Sequence, residues 1–208
     1  MAGLLVFAVL GGYVLISVLI VYRVLRAAPQ KKLVAGVLAT LVVSLPVTTM
    51  FWEYVQTKRT FEKYCREEAK VTIFKTVEQW KKENPGVAET LQPYTYENKP
   101  SSQPSGDGLY NTSSTDFLNP RFARISKKNG PLPSNIFRRT TEMIDTKTGE
   151  VMARMVNFNS GYGNPFLGTP YGWKSYKVWL STTQCPSHDK NIDIFYDYAK
   201  SIKNIGDK

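Results

Sequence analysis

MAGLLVFAVLGGYVLISVLIVY, residues 1–22, and LVAGVLATLVVSLPVTTMFW, residues 33–52, decide how this chain must be read, because neither run contains a charged side chain. A helix rises about 1.5 Å per residue, so roughly 20 apolar residues cross the hydrocarbon core of a bilayer. Each run meets that length, and only residues 23–32 join them. A connection so short forces the two helices antiparallel. The sequence therefore predicts a two-helix transmembrane hairpin over residues 1–54, with helices at about 3–22 and 33–52.

The first run lacks the basic start of a secretory signal, and its apolar stretch exceeds the 7–15 residues of a signal core, so it reads as a retained helix. Ala8 with Gly12, and Ala35 with Ala39, form small-residue pairs at helical spacing, which let helix backbones approach in lipid. Pro46 is expected to kink the second helix. Tyr22, Phe51, Trp52 and Tyr54 lie at run ends, where amphipathic aromatics anchor at the interface.

Sidedness follows from cations. The connecting loop carries Arg23, Arg26, Lys31 and Lys32 without an acid, and no Lys or Arg precedes it. The positive-inside rule then puts the loop in the cytoplasm and both termini outside. Lys58, Arg59, Lys63, Arg66 and Lys70 after the second helix argue the other way. In bacterial terms the expected location is the inner membrane, with two spans and periplasmic termini.

Beyond the lipid runs, the chain of 208 residues leaves about 156 for one soluble domain. Net charge is +10 and uneven: +4 over residues 1–52, −1 over 53–120 and +7 over 121–208. Residues 55–69 read as an amphipathic neck helix, and residues 70–208 as an extracytoplasmic α+β domain with an irregular segment at about 91–120. Residues 70–77 (KVTIFKTV) read as a strand on their β-branched content. The clearest β signal is a hairpin of strands at 137–144 and 150–158 around the turn Asp145-Thr-Lys-Thr-Gly149. In its second strand Val151, Ala153 and Met155 alternate with Met152, Val156 and Phe158, so both faces are apolar and the strand is expected inside its sheet. Residues 173–182 are a further strand candidate. Ile192, Phe195, Ala199 and Ile202 then mark one stripe of a final helix, with Asp189 or Ser187 placed to cap it. The expected class is a membrane-anchored α+β protein: the hairpin, then a small antiparallel sheet of three or four strands with flanking helices.

Two cysteines, Cys65 and Cys185, lie outside the lipid runs, and in an oxidising compartment an even count points to one disulfide. His188 is the sole histidine and follows Cys185 by three positions. The pair admits a rival reading as a thiol enzyme or hydrolase, although a nucleophile and its base rarely meet within one turn. The sequence contains no Walker loop, dinucleotide fingerprint, HExxH or GxSxG. No catalytic residue, metal ligand or cofactor is assigned.

Two surfaces are candidates for binding a partner. Tyr162, Phe166, Tyr171 and Trp173 sit among Gly, Asn and Pro, and rigid aromatics on irregular backbone suit recognition. Arg121, Arg124, Lys127, Lys128, Arg138 and Arg139 form a basic set suited to an acidic partner or anionic lipid. The expected function is a non-enzymatic, membrane-anchored interaction or accessory protein, either an envelope-complex subunit or an exclusion or immunity factor. The expected partners are membrane lipid, a membrane or periplasmic protein and a second copy of the chain, with no nucleic acid. An inverted topology, with a basic cytosolic domain binding anionic lipid or nucleic acid, is the third reading.

The layout resembles uncharacterised bacterial inner-membrane proteins with an N-terminal transmembrane hairpin and a small periplasmic domain. The resemblance rests on residues 1–77, including VTIFKTV at 71–77, and on TKTGEV at 146–151. It implies a compartment and no activity.

Overall fold

A computed structural model describes residues 2–27, 32–95, 97–101, 104–162, 171–181 and 184–206. The chain divides into two compact units, Met1–Val55 and Gln56–Lys208. The first holds helix α1 (Ala2–Ala27) and the opening part of helix α2 (Lys32–Glu67). Within α2 the stretch Leu33–Glu67 is long and apolar enough to cross a membrane. Val34, Val37, Leu38, Leu41, Val42 and Leu45 are all more than half exposed, an arrangement water penalises and lipid does not. The hydroxyls of Thr40, Ser44, Thr48 and Thr49 each donate to a carbonyl three or four residues back, so they present no unsatisfied donor.

The two helices touch. The Tyr13 hydroxyl donates to the Val43 carbonyl, and a Cβ on Gly36 would lie 3.1 Å from Leu25 Cδ2. The close approach is therefore at Gly36, between Ala35 and the buried Ala39. Gly12 is not the contact expected of it, because a Cβ there meets nothing within 4 Å.

The second unit is built on a six-stranded antiparallel sheet in the order β1-β6-β5-β4-β3-β2. Its strands are β1 (Val71–Ile73), β2 (Ser105–Gly106), β3 (Thr112–Phe117), β4 (Phe122–Leu132), β5 (Ile136–Asp145) and β6 (Val151–Ser160). The expectation of three or four strands falls short. β2 and β3 emerge within the segment read as irregular, and β4 lies where only a basic surface was read. The predicted hairpin is β5 and β6, and β6 lies inside the sheet between β1 and β5.

The neck is helical as expected, as the continuation of α2 to Glu67. Two local readings change. The strand expected at 70–77 stops at Ile73, because Thr76 and Gln79 close a capping box that starts helix α3 (Val77–Glu83). Residues 173–182 form no strand among their described members. They coil into 3-10 turns at Gly172–Tyr176 and Val178–Leu180.

Helices cover the sheet on both faces. The end of α2 packs Phe61, Tyr64, Cys65 and Ala69 against Ile136, Val156 and Phe158, with Tyr64 stacked on Phe158 at 5.0 Å. On the opposite face, α3 and helix α4 (His188–Lys203) enclose Trp80, Phe122, Met143, Met155, Phe195 and Ile202. Each such fully buried large side chain contributes roughly 1.5–3 kcal/mol. The register shift between Met143 and Ile144, paired with Ala153 and Val151, leaves Met152 as the extra residue of a bulge. Met152 consequently joins the cluster of Ala153 and Met155 and not that of Val156 and Phe158. The expected stripe of α4 is buried at Phe195, Ala199 and Ile202, with Ile192 packed beside it. Neither expected capping side chain caps the helix: Ser187 is the N-cap, but its hydroxyl accepts from the Asn191 side chain and makes no capping bond to the helix backbone, and Asp189 lies inside the helix.

Cys65 and Cys185 are bonded, with Cα atoms 5.4 Å apart across 120 positions of sequence. The bond ties the end of α2 to the turn before α4.

Candidate functional site

The six cations of the basic set are not on one face of the sheet, since register sets Lys127 and Arg138 on the side opposite to Lys128 and Arg139, and most of them have carboxylate partners. Arg121 Nε donates to Asp145 Oδ1 at 2.6 Å, and its guanidinium lies 5.4 Å from the Trp80 ring. Asp145 is buried and also accepts from Trp80 Nε1 and from the backbone of Lys147 and Thr148. Burial pushes this carboxyl up, but those four donors outweigh it and hold it below its ordinary range. Arg121 is thus a structural residue that pins the β5–β6 turn. Arg124 pairs with Asp116 at 2.6 Å and lies over the Tyr196 ring. Lys127 reaches Glu142, which also takes Arg154, and Arg138 reaches Glu68 at 3.5 Å.

Lys128 and Arg139 differ. They are direct cross-strand partners on β4 and β5, and neither meets a carboxylate among the described residues. Lys128 Nζ donates to the Tyr171 hydroxyl at 2.6 Å and lies 4.5 Å from the Phe137 ring centroid and 5.2 Å from that of Tyr171. The aromatic and basic sets read separately in the sequence therefore meet at this lysine.

Around it, Phe137, Tyr162 and Leu180 form a buried cluster edged by Tyr110, Tyr171 and Trp179. Tyr162 is buried, and its hydroxyl donates to Asn135 Oδ1. The Tyr171 hydroxyl donates onward to the Leu109 carbonyl. Tyr162 and Tyr171 are thus structural rings as much as presented ones. Trp173 is 68% exposed, with Lys177 above its ring, and Tyr176 beside it is 58% exposed. Phe166 lies outside the described residues. Tyr110 and Tyr176 were not singled out by sequence reading. Tyr110 joins the cluster only because β3 pairs with β4, and Tyr176 carries no pattern that separates it from a strand residue.

Cys185 carries no thiol proton, since its sulfur is bonded to Cys65. Its neighbour His188 turns instead to Asn157, whose Nδ2 lies 2.6 Å from His188 Nδ1. Among the described residues no group of three or more His, Cys, Asp or Glu could hold a metal ion.

No family model matches this chain, and neither a curated protein nor a solved structure matches it.

Proposed function

We propose that this is a non-enzymatic, membrane-anchored interaction protein of a bacterial inner membrane. In this reading α1 and the first part of α2 form a two-span hairpin, both termini are periplasmic, and the folded domain engages a protein partner of the envelope. An accessory subunit and an exclusion or immunity factor are both forms of this function.

The observation that carries the anchoring is the exposed apolar surface of α2 from Leu33 to Trp52. The four cations between the helices support the sidedness, and the Cys65–Cys185 bond is in keeping with an oxidising compartment. The recognition element is the exposed pair Trp173 and Tyr176 on its 3-10 turn. Large aromatics held on a rigid support give contact area at little entropic cost.

Reporter fusions at Lys208 test the orientation. Alkaline phosphatase is expected to be active and a cytosolic fluorescent reporter dark. The reverse result would establish the inverted topology. A photo-crosslinking residue at Trp173 in intact cells tests the partner: a discrete adduct is expected there and not at Lys63, an exposed position on α2. The same pattern of adducts from both positions would defeat the assignment of the face.

A further inference from the structure

Two adjacent rows of side chains cross the sheet on the face opposite α2. Strand register sets Thr112, Lys128, Arg139 and Asn157 in one row, and Ser114, Ser126 and Thr141 in the next. Every other cation on β4, β5 and β6 meets a carboxylate: Arg124 with Asp116, Lys127 and Arg154 with Glu142, Arg138 with Glu68. Lys128 and Arg139 face each other with none among the described residues. Like charges placed opposite each other across strands destabilise a sheet. The pair is therefore a local cost to folding that the rest of the sheet avoids.

A cavity of about 280 Å³ opens over these rows, lined by Thr112, Ser114, Ser126, Lys127, Lys128 and Arg139. Lys127 is committed to Glu142, but most of the other donors are free in whole or in part. The hydroxyls of Thr112 and Ser114 and the guanidinium of exposed Arg139 have no hydrogen-bond partner among the described residues. Lys128 gives one of its three ammonium protons to Tyr171. Ser126 shares its hydroxyl with Thr141 at 3.1 Å. Among the described residues no carboxylate lines the cavity.

We infer that this cavity is a phosphate-binding site. Two hydroxyls, a guanidinium fork and an ammonium converge more donors than the two oxygens of a carboxylate accept comfortably. A phosphate offers three or four oxygens and a charge near −2, which matches both the donor count and the two unpaired cations. The group is carried by the phosphomonoester headgroup of a lipid such as phosphatidic acid or by a free phosphate, and the chemistry recognised is the same.

The test is calorimetric titration of the full chain in a phosphate-free maltoside detergent at constant ionic strength. One arm uses inorganic phosphate and the other dihexanoyl phosphatidic acid, a lipid phosphomonoester, below its micellar concentration. Binding is expected in at least one arm, and the tighter arm names the source. Arg139→Gln removes an exposed side chain and is expected to weaken binding roughly tenfold or more, as loss of a charged hydrogen bond does. Ser114→Ala is expected to weaken it less, and Lys63→Gln not at all. No binding in either arm would overturn the assignment. So would binding indifferent to Arg139→Gln, or acetate bound as tightly as phosphate.

Discussion

Asn157 Nδ2 lies 2.6 Å from Nδ1 of His188, and this contact fixes the tautomer of the chain's sole histidine. The amide cannot be flipped, because Asn157 Oδ1 accepts from the backbone N–H groups of Phe158 and Cys185. The NH2 end must face the ring, so Nδ1 accepts and the proton resides on Nε2. Burial lowers the His188 pKa below 6.5; Asp189 opposes it, and Arg139 adds a smaller push downward.

A lowered folded pKa for a base means that the unfolded chain binds the proton first. The stability this neutral histidine confers is present above pH 6.5 and is lost as pH falls through the folded pKa. Urea melts at pH 7.5 and pH 5 are expected to show a smaller loss of stability for His188→Gln than for the unaltered protein. An imidazole resonance that titrates at or above 6.5 would contradict the assignment.

The disulfide closes a loop of 120 positions. In the chain-entropy model such a bond stabilises by about 4–5 kcal/mol. Cys65→Ser with Cys185→Ser is expected to lower stability by up to that amount, read by urea denaturation at neutral pH. In unaltered protein, maleimide should label no cysteine before reduction and two after it under denaturing conditions. Ready labelling of native protein would show an open thiol and revive the thiol-enzyme reading.

Asp145 joins the β5–β6 turn to α3 through Trp80 and to Arg121. Replacing it with alanine strands the Arg121 guanidinium, which is 11% exposed, and orphans the indole N–H. The expected loss is about 3 kcal/mol or more. Equilibrium unfolding of Asp145→Ala against Arg124→Ala, whose pair is more exposed, checks the difference.

Two glycines with left-handed backbone separate strain from crowding. Gly149, at φ +74°, has open space where a Cβ would be, so Gly149→Ala is expected to cost about 1–2 kcal/mol from backbone conformation alone. Gly161, at φ +82°, would put a Cβ 2.7 Å from Ser181 Cα. Gly161→Ala must also displace the turn that carries Leu180, and a larger loss is expected, about 2–4 kcal/mol. Thermal denaturation of the two variants side by side makes the comparison. Equal losses would mean that the Ser181 segment yields freely.

Legibility in the sequence tracked the range of the interaction responsible. The long apolar run that makes α2 apolar enough to cross a membrane, the turn at residues 145–149 and the stripe of α4 are each written in a local period or a local turn residue. β3 (TSSTDF) and β4 (FARISKKNGPL) carry no such mark. Their polar and cationic residues are stabilised by partners on neighbouring strands, such as Asp116 for Arg124 and Glu142 for Lys127. Residues 70–77 and 173–182 show the converse, since β-branched and aromatic content suggested strands that a capping box and 3-10 turns displaced.

By itself, then, the sequence determined which stretches are apolar enough to leave water, where the main hairpin turns and that two cysteines were there to be paired. Tertiary structure alone decided which cations were matched and which were left over. Lys128 and Arg139 look like four neighbours of the same type, and only antiparallel register, which aligns residues far apart in the chain, sets them opposite each other with no carboxylate partner among the described residues.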